Sequence, residues 1–167
     1  MFQVGDQVVH RVYGLGEIIQ LDEKTLSGHT DPYYVVRIRD LTLWVQVKDD
    51  DSSSLRFPTP VSDFEKLFAI LRSPGQPLSP DRFERRTQLA DQIKDGKLTS
   101  VCSVVRDLVF RRRTQKMNDN DSAVLERAKN FLLNEWAYSL SIPIYQANRD
   151  LYDLLGEDVS KAPKNKT

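Results

Sequence analysis

Two stretches near the start of the chain alternate with period two, one set of positions apolar throughout and the other mostly polar. Tyr34, Val36 and Ile38 are spaced against Val35, Arg37 and Arg39, and Leu41, Leu43, Val45 and Val47 against Thr42, Trp44 and Gln46. Period two predicts strands over Tyr33 to Arg39 and Leu41 to Val47, each with one buried and one wet face. Two more strands are predicted at Gln7 to His10 and Glu17 to Leu21, where Val8, Val9 and Ile18 favour extended backbone. Gly5-Asp6 suits a tight turn before the first, and Gly14-x-Gly16 lets the first bend sharply into the second. Asp22 to Pro32 reads as a polar, hairpin-like loop turning at Ser27-Gly28. Asp49-Asp50-Asp51 followed by Ser52-Ser53-Ser54 reads as the loop that closes the strand region.

Beyond residue 60 the period changes to that of a helix. Ser62-Asp63-Phe64-Glu65 has the form of a capping box, and Phe64, Leu67, Phe68 and Leu71 follow as one apolar stripe. Ser73-Pro74-Gly75-Gln76-Pro77 breaks the pattern and reads as an interdomain linker. Ser79-Pro80 is then taken as the start of a second helix, with Phe83, Leu89, Ala90 and Ile93 as its buried face and Gly96 as its end. Val101, Val104, Val105, Leu108 and Val109 predict a third helix, running to about Arg113. Asn118, with Asp121 three positions on, opens a fourth that carries Val124, Leu125, Ala128, Phe131, Leu132 and Ala137. Pro143 starts a short fifth with Ile144, Leu151, Leu154 and Leu155, and Gly156 stops it. Lys161 to Thr167 is a polar tail.

Strands followed by helices predict an α+β organisation: a small, strongly bent β-barrel of the SH3 or Tudor kind, then an all-helical domain. The expected limits are 1–57 for the barrel, 58–78 for a connecting helix and linker, 79–157 for the helical domain and 158–167 for a flexible tail. The glycines near residue 15 are not a phosphate loop, because no helix pattern follows them and no Gly-Lys-Ser/Thr is present.

Net charge is zero over 167 residues, yet the charges are segregated. Residues 1–57 carry 6 Lys/Arg against 9 Asp/Glu, residues 82–116 carry 10 against 4, and residues 117–158 carry 3 against 8. The middle segment, at +6, is basic enough to meet phosphate, or to be a solvated helix face. No apolar run approaches the roughly 20 residues that span a bilayer, and no basic-then-apolar leader opens the chain, so a cytoplasmic protein is expected. A single cysteine, Cys102, excludes an internal disulfide.

Nothing in the sequence forms a catalytic constellation. His10 and His29 lack neighbouring ligands at metal spacing, and the three adjacent aspartates match no calcium loop. Cys102 lies on an apolar helix face without an activating group, as a small core residue would. The chain is expected to be no enzyme and to take no metal, cofactor or small-molecule substrate; it reads as a binding protein.

Two distant motifs then coincide. Phe2-x-Val4-Gly5-Asp6-x-Val8-Val9-His10 with Tyr13-Gly14-x-Gly16-x-Ile18 resembles the start of the bacterial CarD/CdnL-like family of transcription regulators. Tyr33-Tyr34-Val35-Val36 and Leu41-Thr42-Leu43 look like that family's third and fourth strands. Arg85-Arg86, Gly96, Val104-Val105-Arg106-Asp107-Leu108, Ala128-Lys129 and Leu132 continue the likeness in the helical half, so that it covers roughly residues 1–140. The resemblance implies a Tudor-like domain, shared with transcription–repair coupling factors, that docks on the RNA polymerase β subunit. It also implies a helical domain on promoter DNA at the upstream edge of the melted bubble, with an aromatic wedge in the minor groove and basic residues on the backbone. Such contact is expected to be weak and largely independent of sequence.

The residues implied for DNA are Phe83, Arg85, Arg86, Arg111, Arg112 and Arg113, and those for polymerase are Lys24, Arg37 and Trp44. Phe83 stands where well-known members have tryptophan, Gln88 and Ser122 stand at positions often basic, and Trp44 replaces a basic residue. Plainer readings stand beside these: Arg85 and Arg86 can be solvated helix charges, and Trp44 can pack on the Phe64 helix. Phe83 fits the core by its spacing, Arg111 to Arg113 complement a helix C-terminus, and Arg106 can pair with Asp107. Two alternatives stay open at this level: a divergent polymerase-binding adaptor without DNA contact, and a Tudor-like interaction module unrelated to transcription.

Overall fold

The computed structural model describes residues 1–157; the expected tail, 158–167, lies outside the described residues. The chain divides into two compact units, Met1–Pro58 and a second beginning at Thr59.

The first unit holds five strands: β1 (Gln7–His10), β2 (Gly14–Leu26), β3 (His29–Ile38), β4 (Leu41–Gln46) and β5 (Leu55–Arg56). They pair antiparallel in the order β4-β3-β2-β1-β5, which leaves β4 and β5 as the outer strands. Val8, Ile18, Tyr34, Val36, Ile38 and Leu55 form its core, with Phe2, Leu43, Val45 and Val47 packed against them. The alternation in β3 and β4 therefore reports the inner face correctly, while Leu41 is exposed at the end of its strand.

Asp22 to Pro32 is a hairpin turning on Ser27-Gly28, as its signals suggest, but its arms are strand rather than loop. β2 and β3 remain paired as far as Leu26 and His29, and the chain reverses on Ser27 and Gly28 at φ 52° and 81°. Positive φ at both central residues matches the right-handed twist of a two-residue hairpin. This outer half is joined by polar cross-strand pairs: Lys24 stands opposite Asp31, and the Thr25 and Thr30 hydroxyls meet at 2.8 Å. Without an apolar face, it carries no hydrophobic alternation to betray a strand.

Gly16 permits a close approach of β2 to β3. A Cβ there would lie 2.5 Å from Ile38 Cγ1 and 2.7 Å from the Arg37 carbonyl oxygen. At the far end of β1, His10 Nδ1 accepts hydrogen bonds from the Val12 and Tyr13 amides at 3.1 and 3.3 Å. Burial, and then the Arg11 charge, hold its pKa below the ordinary 6.5.

The second unit contains a 3-10 turn (Val61–Asp63) and helices α1 (Phe64–Arg72), α2 (Arg82–Ile93), α3 (Leu98–Thr114), α4 (Asp119–Leu140) and α5 (Ile144–Leu155). α3 lies at its centre, packed against α1, α2 and α4. The Ser62 capping box does not form: Asp63, ahead of α1, already has helical dihedrals, and no side chain caps the helix. α1 is part of this unit's core, where Phe64 and Phe68 pack on Trp136 with ring centroids 6.3 and 5.0 Å apart. The segment Ser73 to Pro77 runs inside the same unit, tied to α3: the Gln76 amide donates to Asp107 Oδ1 at 2.8 Å, and Arg106 donates to the Ser73 hydroxyl at 2.7 Å.

α2 starts on Asp81 rather than Ser79. Asp81 Oδ1 accepts from the Phe83 and Glu84 amides, both at 2.9 Å, while the Ser79 hydroxyl donates to Glu84. The buried face of α2 is Arg85 and Leu89; Ala90 is exposed, Ile93 is half-buried and Phe83 points to solvent. The third, fourth and fifth helices match their predicted signals, including the Asn118 cap on α4 and a left-handed Gly156 after α5.

Two outcomes are expected. Gly16→Ala destabilises the first unit by roughly 1–3 kcal/mol, because the added methyl meets Ile38 and the strand backbone; urea unfolding followed in that unit measures it. His10 binds a proton more readily in the unfolded chain, so its contribution to stability is present above 6.5 and is lost as pH falls through 6.5 to the lowered folded value. Unfolding free energies at about pH 8 and about pH 5 check this, and His10→Asn flattens that part of the profile.

Candidate nucleic-acid and partner-binding surfaces

In the first unit, directly paired residues of neighbouring strands share a face. Trp44 stands opposite Val35, which stands opposite Gln20; Thr42 stands opposite Arg37, which stands opposite Glu17. Glu17 and Lys24 are seven residues apart and would ordinarily lie on opposite faces. A register shift between Ile18 and Gln20 inserts the extra residue that brings them onto one. Lys24, Arg37 and Trp44 thus share the outer face of the sheet, the face opposite Tyr34 and Val36.

The Lys24 ammonium sits 4.0 Å from the centroid of the Trp44 ring, and the Trp44 indole N–H donates to Asp22 Oδ2 at 3.3 Å. The two contacts hold the indole in place although it is 46% exposed. Arg37 is exposed and pairs loosely with Glu17 at 3.5 Å. The arrangement is an aromatic anchor flanked by both signs of charge on an outer strand, suited to a protein surface.

In the second unit, the predicted nucleic-acid residues separate into two groups. Phe83 is 65% exposed on the first turn of α2, and the Arg82 guanidinium lies 4.8 Å from its ring centroid. Arg86 is also exposed. Phe83 is therefore not a core residue, whatever its spacing from Leu89. Its amide is fixed by the Asp81 cap, so the ring projects from a defined turn.

Arg85 corrects the sequence expectation. It is only 4% exposed, and its Nε donates to both oxygens of Asp121 at 3.1 and 3.0 Å. Its Nη1 donates to the carbonyls of Ser79 and Pro80 at 3.0 and 3.3 Å. Every part of the guanidinium that these bonds engage is turned inward, because Asp121 is itself buried and needs a cation. Arg111 points to the same carboxylate, with Nε 4.0 Å from Asp121 Oδ2. Arg112 and Arg113 both approach Glu157, at 3.9 and 2.6 Å, and Arg113 also donates to the Leu155 carbonyl. The three consecutive arginines thus serve helix ends and internal carboxylates. Arg106 pairs with the buried Asp107 at 2.8 Å, as its alternative reading had it.

Sequence reasoning passed over Arg82 and Asp81, although an aspartate two residues before an exposed aromatic is a stronger cap signal than a more distant serine. It also passed over buried Glu135, which accepts from the Thr59 amide and hydroxyl, both at 2.7 Å. Cys102 is fully buried, and burial, then the charge of Glu135, push its thiol up to about 12, so it stays protonated and inert. Among the described residues no group of three His, Cys, Asp or Glu is placed to hold a metal ion, and no helix is long and apolar enough to cross a membrane.

Asp121→Ala strands Arg85 in the interior. Its expected cost to the helical unit is roughly 3–5 kcal/mol, against less than about 0.5 for exposed Ser122→Ala. Chemical denaturation of the two variants side by side measures the difference.

Comparison with known proteins covers both units. Residues 2–56 match the family description "CarD-like/TRCF RID domain" and residues 66–152 match "CarD, C-terminal domain". The chain is 31% identical to the Bacillus subtilis (strain 168) protein named "Putative transcription factor YdeB" over 141 residues, 81% of this chain and 90% of that one.

Proposed function

The chain belongs to the CarD family, and from that premise we propose that it docks on the RNA polymerase β subunit and contacts promoter DNA at the upstream edge of the transcription bubble. Members of the family are transcription factors and work by binding rather than by catalysis. The first unit would meet polymerase through its outer face and outer strand β4, with Trp44 as anchor and Lys24 and Arg37 beside it. Such a tether operates in the bacterial cytoplasm, where polymerase is.

The observation that carries the DNA half of the reading is Phe83. A large ring that is 65% exposed at the capped start of a helix, with exposed Arg82 and Arg86 beside it, fits an unstacked base step flanked by phosphates. Phenylalanine can fill such a step, although it has no indole N–H to bond a base edge. With polymerase supplying most of the affinity, the wedge needs only to favour the melted promoter once it is held nearby.

A second reading has its own support. Arg85 and Arg111 turn to buried Asp121, Arg112 and Arg113 pair with Glu157 after α5, and Gln88 and Ser122 add no charge, so few unpaired cations are left toward DNA. That favours an adaptor that holds polymerase without touching DNA.

One series separates the two readings. Trp44→Ala and Lys24→Glu in the full chain are expected to weaken binding to the polymerase β lobe. Phe83→Ala is expected to leave that binding unchanged and to shorten the lifetime of the open promoter complex. Unchanged lifetime with Phe83→Ala supports the adaptor, and undiminished polymerase binding by the Trp44 and Lys24 variants removes the outer face from the interface.

A further inference from the structure

Arg85 and Arg82 are three residues apart at the start of α2, yet they occupy opposite environments. Arg85 is buried, and its hydrogen bonds join three pieces of chain: the Ser79-Pro80 segment that leads into α2, the first turn of α2 itself, and Asp121 in the first turn of α4. Asp121 is in turn held by the Asn118 cap, whose Oδ1 accepts from the Asp121 amide at 2.8 Å. The same turn of α2 is bonded to Asp81 through the amides of Phe83 and Glu84. The direction in which Phe83 leaves the helix is therefore set by a chain of fixed groups that ends on α4. Arg82, by contrast, is exposed and lies over the Phe83 ring, and it has no carboxylate partner among the described residues.

We propose that Arg85 is a positioning residue that aims Phe83 through its bond to Asp121 and touches no nucleic acid, and that the phosphate contact beside Phe83 belongs to Arg82. The inference rests on the reading of Phe83 as the DNA-facing group. A guanidinium 4.8 Å from the ring is close enough to follow it to the backbone on either side of an opened step. Arg82 also supplies a cation where Gln88 and Ser122 supply none.

Salt dependence distinguishes the two roles, because each phosphate contact releases counterions and a positioning group releases none. The test is binding of the full chain to a DNA duplex with a pre-melted bubble, carrying a fluorescent base analogue at the upstream edge, over a series of salt concentrations. Arg82→Gln is expected to reduce the slope of log affinity against log salt by about 0.9. Arg85→Lys and Asp121→Asn are expected to lower affinity and the analogue's response several-fold with the slope unchanged. Hydrogen exchange of the same variants is read alongside. The Phe83 and Glu84 amides are expected to exchange several-fold faster while those of Val105 and Leu108 in α3 are unchanged, a pattern that general destabilisation would not give.

If Asp121→Asn fails to fold, Arg85→Lys decides: lysine keeps the charge but cannot donate to Asp121 and to both carbonyls at once, so faster exchange at Phe83 and Glu84 is expected from it. A slope reduced by Arg85→Lys, or unchanged exchange at Phe83 and Glu84 in the folded variants, overturns the positioning role. An unchanged slope with Arg82→Gln overturns the phosphate contact. Absence of DNA binding by the unaltered chain would overturn the nucleic-acid reading and Arg82's contact with it, while the exchange rates still decide the role of Arg85.

Discussion

The buried bond between Arg85 and Asp121 is the constraint on which the helical unit's presentation of Phe83 depends. A charged pair that is 5% and 2% exposed gains little net stability over an apolar pair of the same volume, because both ions lose their water. Its effect is geometric. A guanidinium with fixed donors can satisfy Asp121, Ser79 and Pro80 in only one arrangement, so the entry to α2 and the start of α4 are registered to each other. Leu89, one turn further along α2, anchors the same face in the core. What faces outward is then decided: Arg82, Phe83 and Arg86.

A comparable economy governs the first unit. Its core is small, and β2 and β3 extend well beyond it as a hairpin held by polar pairs. The outer face of the sheet gains its pattern from one extra residue between Ile18 and Gln20, which aligns Glu17 and Arg37 with Lys24 and Trp44. Gly16, one turn of the pleat earlier, permits the close strand approach on the other side. Neither feature adds affinity for a partner by itself. Together they decide which side chains a partner can meet.

Family membership and geometry weigh differently on the two halves of the proposed function. The first unit keeps an aromatic and two cations on one surface, and nothing in their contacts hides them. The second presents one aromatic and few free cations, since Asp121 and Glu157 take up most of the arginines that segregate in residues 82–116. A positive segment in a sequence is thus not a positive surface. Charge counted along the chain includes groups that fold against the acidic segment that follows it.

Local signals in the sequence mark the first four strands and the five helices in order, the inner faces of β3 and β4, the caps at Asn118 and Gly156, and the likeness to a known family; the two-residue β5 carries no such signal. These are local properties: periodicity, φ preference and capping act within a few residues. Tertiary structure decided the rest. It placed α1 in the core on Trp136, moved the cap of α2 to Asp81, turned Arg85 inward and Phe83 outward, and put Lys24 beside Trp44 across a bulged ladder. Each of these depends on which distant group arrives within a few ångströms, and neither spacing nor propensity encodes a partner 36 residues away, as Asp121 is from Arg85.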